Sequence, residues 1–219
     1  MTTDTGEGHS RRLPPVDHLV WGSRDLDRQI DDLEARLGVR AAPGGSHPGQ
    51  GTRNALIGLG PSMYLELLGP DPGQPRPAGP RWFGLDDLAG SRLVTWAARV
   101  ADLEERVAAA GRAGLGLGQV LTGERRQPGG QMLRWRYTYP DVRLGDGLVP
   151  FLIDWGESPH PAERAPAGVA LLSLRAEHPA PEAIHGLLRR LGIDLQVSSG
   201  PRPALIATLQ TPGGQIELR

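Results

Sequence analysis

Cysteine and lysine are both absent from the 219 residues. Without cysteine the chain has no disulfides, no thiolate nucleophile and no cysteine-held zinc or iron–sulfur site. Without lysine all 24 basic residues are arginines. No side-chain amine can then form a Schiff base, which excludes pyridoxal-phosphate chemistry. Long apolar runs are missing too: nothing approaches the ~18–20 residues that span a bilayer. The polar N-terminal stretch lacks the apolar core of a signal peptide, so the cytoplasm is the expected setting. An excess of either charge is absent, with 24 basic against 25 acidic residues and a net charge of −1. Neither a nucleic acid nor a membrane surface is therefore expected as a partner. No Gly-x-Ser-x-Gly elbow, Walker-type loop or His-Glu-x-x-His run occurs. The glycines between 111 and 118 follow a helical stretch instead of joining a strand to one, so they do not form a phosphate loop. Histidine, carboxylates, tyrosine, hydroxyls and arginine remain for chemistry.

With 38% hydrophobic residues, the chain is long enough for a sizeable core. Val16-Asp17-His18-Leu19-Val20-Trp21 reads as a strand carrying one imidazole. Met63–Leu68 reads as another, carrying the carboxylate of Glu66. Between them Leu26, Ile30, Leu33 and Leu37 recur at helical spacing. Ser23-Arg24-Asp25 offers N-cap chemistry for that helix, and Gly38 ends it. A short extended piece at Val39–Ala42, a loop over Pro43–Gly51 and a strand at Asn54–Leu59 complete the order β-α-β-β-β. The pattern returns with a strand at Arg92–Val100, a helix marked by Leu103, Val107 and Ala110, and strands at Gly118–Arg126, Met132–Tyr139 and Val149–Trp155. It comes round a third time: a strand at Val169–Arg175, a helix through Ile184, Leu187 and Leu191, and strands near Leu195–Ser198, Leu205–Leu209 and Gln215–Leu218.

Three copies of one unit account for this length. The expected organisation is a disordered tail at 1–14, units at 15–70, 92–156 and 167–219, and linkers rich in proline at 71–91 and 157–166. Arg36-Leu37-Gly38-Val39 resembles Arg190-Leu191-Gly192-Ile193, and Leu65-Glu66-Leu67 resembles Ile216-Glu217-Leu218. The repeat sets Thr95 opposite His18, and Glu217 opposite Glu66. In the second unit the place of Glu66 falls to Ile153 or its neighbour Asp154.

A β-α-β-β-β repeat with histidine in its first strand and glutamate in its last resembles the vicinal-oxygen-chelate superfamily. The run His18-Leu19-Val20, Asp25-Leu26-Asp27, Leu37-Gly38-Val39, Gly44–Leu56 and Tyr64-Leu65-Glu66-Leu67 is similar to its glyoxalase-like domain group. Pro150–Gly156 is similar to that group as well. The resemblance implies an α+β fold in which paired units curl mixed sheets around a cleft, as in glyoxalase, bleomycin-resistance and dioxygenase proteins. It also implies a small-molecule substrate or ligand in that cleft. In the superfamily's enzymes a divalent metal (zinc, nickel, manganese or iron) polarises a substrate carbonyl, in lyase, isomerase or dioxygenase reactions. Carried over, His18, Glu66 and Glu217 would be the metal ligands here, with Asp154 a further ligand or base. The rival reading is a metal-free binding or resistance protein of the same fold.

Other residues compete between functional and structural roles. Alternation puts Glu66 on the opposite face from Leu65 and Leu67, which suits a cleft-facing carboxylate and a catalytic role. His47 in its loop is a candidate acid or base, or a backbone-shaping turn residue. Arg53 and Asn54 are candidates to bind a carboxylate or carbonyl group of the substrate. Trp135, Tyr137 and Tyr139 share one strand face, expected to pack on a helix, though Trp135 would serve a planar ligand if that face lined the cleft. Asp154 joins the substrate-binding candidates. An unpaired third unit would leave apolar surface that a homodimer could cover.

Overall fold

A computed structural model describes residues 15–126, 132–139 and 143–219; the polar stretch 1–14 lies outside them. The chain runs β1 (Val16–Gly22), α1 (Leu26–Leu37), β2 (Ala42–His47), β3 (Thr52–Gly60) and β4 (Met63–Pro70). The same order follows in β5 (Arg92–Arg99), α2 (Leu103–Arg112), β6 (Val120–Arg126), β7 (Met132–Thr138) and β8 (Phe151–Asp154). A third set comprises β9 (Ala170–His178), α3 (Pro181–Arg190), β10 (Gln196–Ser199), β11 (Ala204–Thr211) and β12 (Gly214–Leu218). Asp25 caps α1 by accepting the Arg28 N–H, and Gly38 closes it in the left-handed conformation at φ 70°. The 43–51 segment expected as loop contributes most of β2 instead. Gly45, at φ 144°, lies beside the register shift that lets this glycine-rich stretch pair with β3.

The first two sets form one eight-stranded sheet in the order β2-β3-β4-β1-β5-β8-β7-β6. Each set places its first strand parallel to its last, β1 with β4 and β5 with β8, and the two sets meet where β1 runs antiparallel to β5. The curled sheet therefore has a pseudo-twofold arrangement with a cleft on its inner face. The fold is α+β and glyoxalase-like.

The third set keeps the element order but pairs differently. Its sheet reads β10-β9-β11-β12, so its first strand lies beside its second and third, with its last at the far edge. Hydrophobic periodicity marks which residues are strand, and it carries no record of which strand lies next to which. The smaller sheet's apolar face is covered within the chain. Leu171, Leu174, Leu205, Leu209 and Leu218 join Leu19, Leu65, Leu67 and Trp96 of the large sheet's outer face in one core, with Leu33 and Leu37 of α1. The unpaired apolar face that suggested a homodimer is thus already buried. No helix among the described residues is long and apolar enough to cross a membrane.

Candidate functional site

The inner face collects polar side chains that the outer face could not hold. His18 is 3% exposed, His47 7%, Asn54 6% and Glu66 8%. Strand alternation explains the sorting: Leu19, Leu65 and Leu67 turn outward into the core, while His18 and Glu66 turn inward from β1 and β4. The two come near each other because β1 and β4 are hydrogen-bonded neighbours. His18 Nε2 lies 3.7 Å from Glu66 Oε2, and His47 Nε2 lies 3.9 Å from Glu66 Oε1. Asn54 Nδ2 donates to Glu66 Oε1 at 2.5 Å, and it lies 3.4 Å from His47 Nε2.

Asp17 organises the back of the site. It is the extra residue at a register shift between β1 and β5, so its carboxylate stays near His18 although the two are adjacent in sequence. Fully buried, it accepts from His18 Nδ1 at 2.8 Å, Arg99 Nε at 2.8 Å, His160 Nε2 at 3.1 Å and Trp155 Nε1. His160 Nδ1 meanwhile accepts the Ala162 N–H, and Arg99 Nη2 also lies 2.7 Å from its Nε2. Burial works to raise the Asp17 pKa, but hydrogen bonds from His160 and His18 outweigh it and hold the carboxyl well below the usual carboxylate range. An ionised Asp17 fixes the proton of His18 on Nδ1. The Nε2 of His18 is then the ring atom that faces the Glu66 carboxylate.

His47 is held by Thr52, whose Oγ1 is 3.0 Å from Nδ1. Burial lowers its pKa to about 4, helped by the positive charge of Arg125 and opposed by Glu66. It is therefore neutral near pH 7. Arg125 of β6 reaches across and donates to Asn54 Oδ1 at 2.8 Å, completing the chain Arg125–Asn54–Glu66.

Aromatic rings wall the remaining space. Tyr64 stacks on His18 with centroids 4.6 Å apart, and Phe151 meets the same imidazole edge-on at 5.5 Å. Trp82 stands 5.4 Å from the His47 ring. Trp82, Phe83, Trp135, Tyr137, Phe151 and Ile153 surround a cavity of about 50 Å³ beside His18, His47 and Glu66. Trp135 and Tyr137 thus line the cleft. The opposite face of β7 is the one turned to a helix, where Arg136 pairs with Glu104 of α2.

Three expectations need correction. Glu217 lies in the smaller sheet, paired with Arg175 at 2.9 Å, because β12 is an edge strand there and not a neighbour of β9. Asp154 faces away from the cavity and pairs with Arg136 at 2.8 Å; alternation gives the cavity to its neighbour Ile153. Arg53, next to the inward Asn54, points outward to Asp27 at 2.7 Å. The repeat's matching of Thr95 to His18 agrees with the β1–β5 register, which is symmetric about Leu19 and Trp96, with His18 facing Ala97 and Val20 facing Thr95. Asp17, Tyr64, Arg125 and Phe151 had not been singled out. Their signals lie in a bulge, a ring stack, a cross-sheet reach and strand pairing, none of which periodicity records.

The donor set does not fit the implied metal. His18, Glu66 and Glu217 are split between two sheets, and no group of three or more His, Asp or Glu side chains among the described residues is arranged to hold an ion. His47 comes closest as a third ligand, but the Asn54 amide occupies the space between its Nε2 and Glu66.

Paired β-α-β-β-β units closing a mixed sheet around a buried polar cleft define the vicinal-oxygen-chelate class. Within it, the chain belongs to the Glyoxalase-like domain family, whose profile matches residues 16–192. No curated protein matches the chain. Among solved structures, a hypothetical protein from Staphylococcus aureus shares the fold at 15% identity and TM-score 0.59, over 94% of this chain and 84% of that one. Methylmalonyl-CoA epimerase in complex with methylmalonyl-CoA and NH4+ matches at 24% identity and TM-score 0.45, over 68% of this chain and 100% of that one. The Mycobacterium tuberculosis methylmalonyl-CoA epimerase matches at 23% and 0.43, over 68% and 94%.

Proposed function

We propose that the cleft binds a small carbonyl compound and moves a proton on the carbon beside the carbonyl, as an isomerase- or lyase-type reaction requires. One observation carries the reading: His18 Nε2 and Glu66 Oε2 face each other at 3.7 Å beside a cavity, with the Asp17 carboxylate behind the imidazole. Glu66 is the base that removes the proton. His18, protonated on Nε2, donates to the oxygen on which negative charge builds, and the buried Asp17 carboxylate stabilises the imidazolium behind it. Asn54 holds Glu66 in place through its Oε1. Neutral His47 offers a second acceptor for a substrate hydroxyl. Trp82, Trp135 and Phe151 hold the flat body of the ligand and keep water out, and Tyr64 backs the His18 ring. A cavity of about 50 Å³ is close to the volume of one or two waters, so a ligand enters by moving Trp82 and Phe83 of the 82–87 segment.

The aromatic walls equally support a binding protein that holds its ligand without reaction. Proton exchange separates the two. A panel of ketones, 2-oxo acids and thioesters is incubated with the protein in D2O, and deuterium wash-in at the carbon beside the carbonyl is followed by NMR. The expected result is protein-dependent exchange on at least one compound, unchanged by chelators and reduced at least about 100-fold in Glu66→Gln. Ligands that bind and quench tryptophan fluorescence without any exchange would establish the binding role and overturn the catalytic one.

A further inference from the structure

A second cavity lies beyond Asn54 from the cleft. It has a volume of about 180 Å³ and is lined by Ala42, Pro43, Leu56, Pro161, Arg125 and Arg164, with Gly44 and Ala165 at its edge. It shares no lining residue with the aromatic cavity. Arg125 is 6% exposed, yet among the described residues no carboxylate pairs with it. Its one hydrogen bond there goes to the neutral Asn54 amide, and its buried Nε has no partner. A guanidinium buried without a counter-charge is costly, and proteins retain one where an anion completes it. The backbone is shaped around this side chain. A Cβ on Gly44 would lie 2.2 Å from Asn54 Oδ1 and 2.9 Å from Arg125 Nη1, and one on Gly45 would lie 2.8 Å from Arg125 Cδ. Two consecutive glycines in β2 thus make the room that the Arg125 side chain and its Asn54 partner occupy.

We infer that this cavity is a binding site for a short-chain organic carboxylate, with Arg125 as the buried partner of the carboxylate and Arg164 at the mouth. The carboxylate lies against the planar guanidinium of Arg125, whose fork matches its two oxygens. The alkyl part packs on Leu56, Pro43, Pro161 and the alanines, walls that favour it over a fully hydrated phosphate. Because the two cavities have separate linings, the carboxylate binds as its own molecule and not as the tail of the cleft's ligand. Its charge opposes that of Arg125, which reaches Glu66 through Asn54, so the site is placed to tune the cleft.

Thermal unfolding with propionate as the probe tests this without any turnover, and so independently of the proton-transfer reading. Ionic strength is held constant with chloride. Wild-type Tm should rise saturably with propionate, as expected when a ligand binds only the folded state. The half-saturating concentration should increase at least tenfold in Arg164→Glu, an exposed position, with circular dichroism checking that the variant folds. Arg125→Met should abolish the shift, with circular dichroism checking that it folds. The inference is overturned if wild type shows no saturable shift, if Arg164→Glu responds as wild type does, or if inorganic phosphate stabilises at lower concentrations than propionate.

Discussion

His47 is buried among Thr52, Asn54 and Trp82, a setting that disfavours its charged form. Its pKa falls from 6.5 to about 4 through burial. An unfolded chain therefore binds a proton at this residue between those values, whereas the folded chain does not. Stability from His47 is complete above pH 6.5 and is lost as the pH falls through 4. The whole difference amounts to about 3 kcal/mol. Urea unfolding at pH 7 and pH 4.5 should show this loss in wild type, and His47→Gln should remove most of it. Asp17 adds its own acid loss only below the ordinary carboxylate range, so the two windows stay apart. An equal loss in the variant would show that His47 is not the titrating group. Residue by residue, the inward pointing of Glu66 was legible because it stands between Leu65 and Leu67, and alternation sorts faces. Asp17 was not, since alternation sends it away from His18 and only a bulge brings it back.

Strand pairing decides the next scale. Gly123 of β6 stands across from Trp135 of β7, and a Cβ added there would lie 2.4 Å from the indole. Alanine in place of glycine inside a strand usually helps by reducing the freedom of the unfolded chain. Here the indole blocks it. Gly123→Ala should destabilise by about 1–3 kcal/mol through overpacking. It should also displace Trp135, changing the fluorescence response to cleft ligands; an unchanged or raised urea midpoint would count against this account. The boundaries of α1 between Asp25 and Gly38 followed from periodicity and turn residues, whereas β2 lay in a glycine-rich stretch that reads as loop. The aromatic face of β7 was equally readable as a face. Whether it met a helix or the cleft depended on β7 lying between β6 and β8, which no local pattern records.

For the whole molecule the third set of elements decides how the chain unfolds. It was legible as a repeat of element order, but its strands pair in another sequence, and its apolar face closes the core against the large sheet. Leu209 of β11 is wholly buried there. All five tryptophans, at 21, 82, 96, 135 and 155, lie before the third set, and Trp82, Trp135 and Trp155 lie outside the core it shares, so their fluorescence reports chiefly on the large sheet. If the shared core makes one cooperative unit, Leu209→Ala should cost about 2–5 kcal/mol. That loss should appear equally in tryptophan fluorescence and in far-ultraviolet circular dichroism. A fluorescence transition left in place while the dichroism transition moves would mean that the smaller sheet unfolds alone. The outer face would then need only its own helices, and the cleft would stand without the third set.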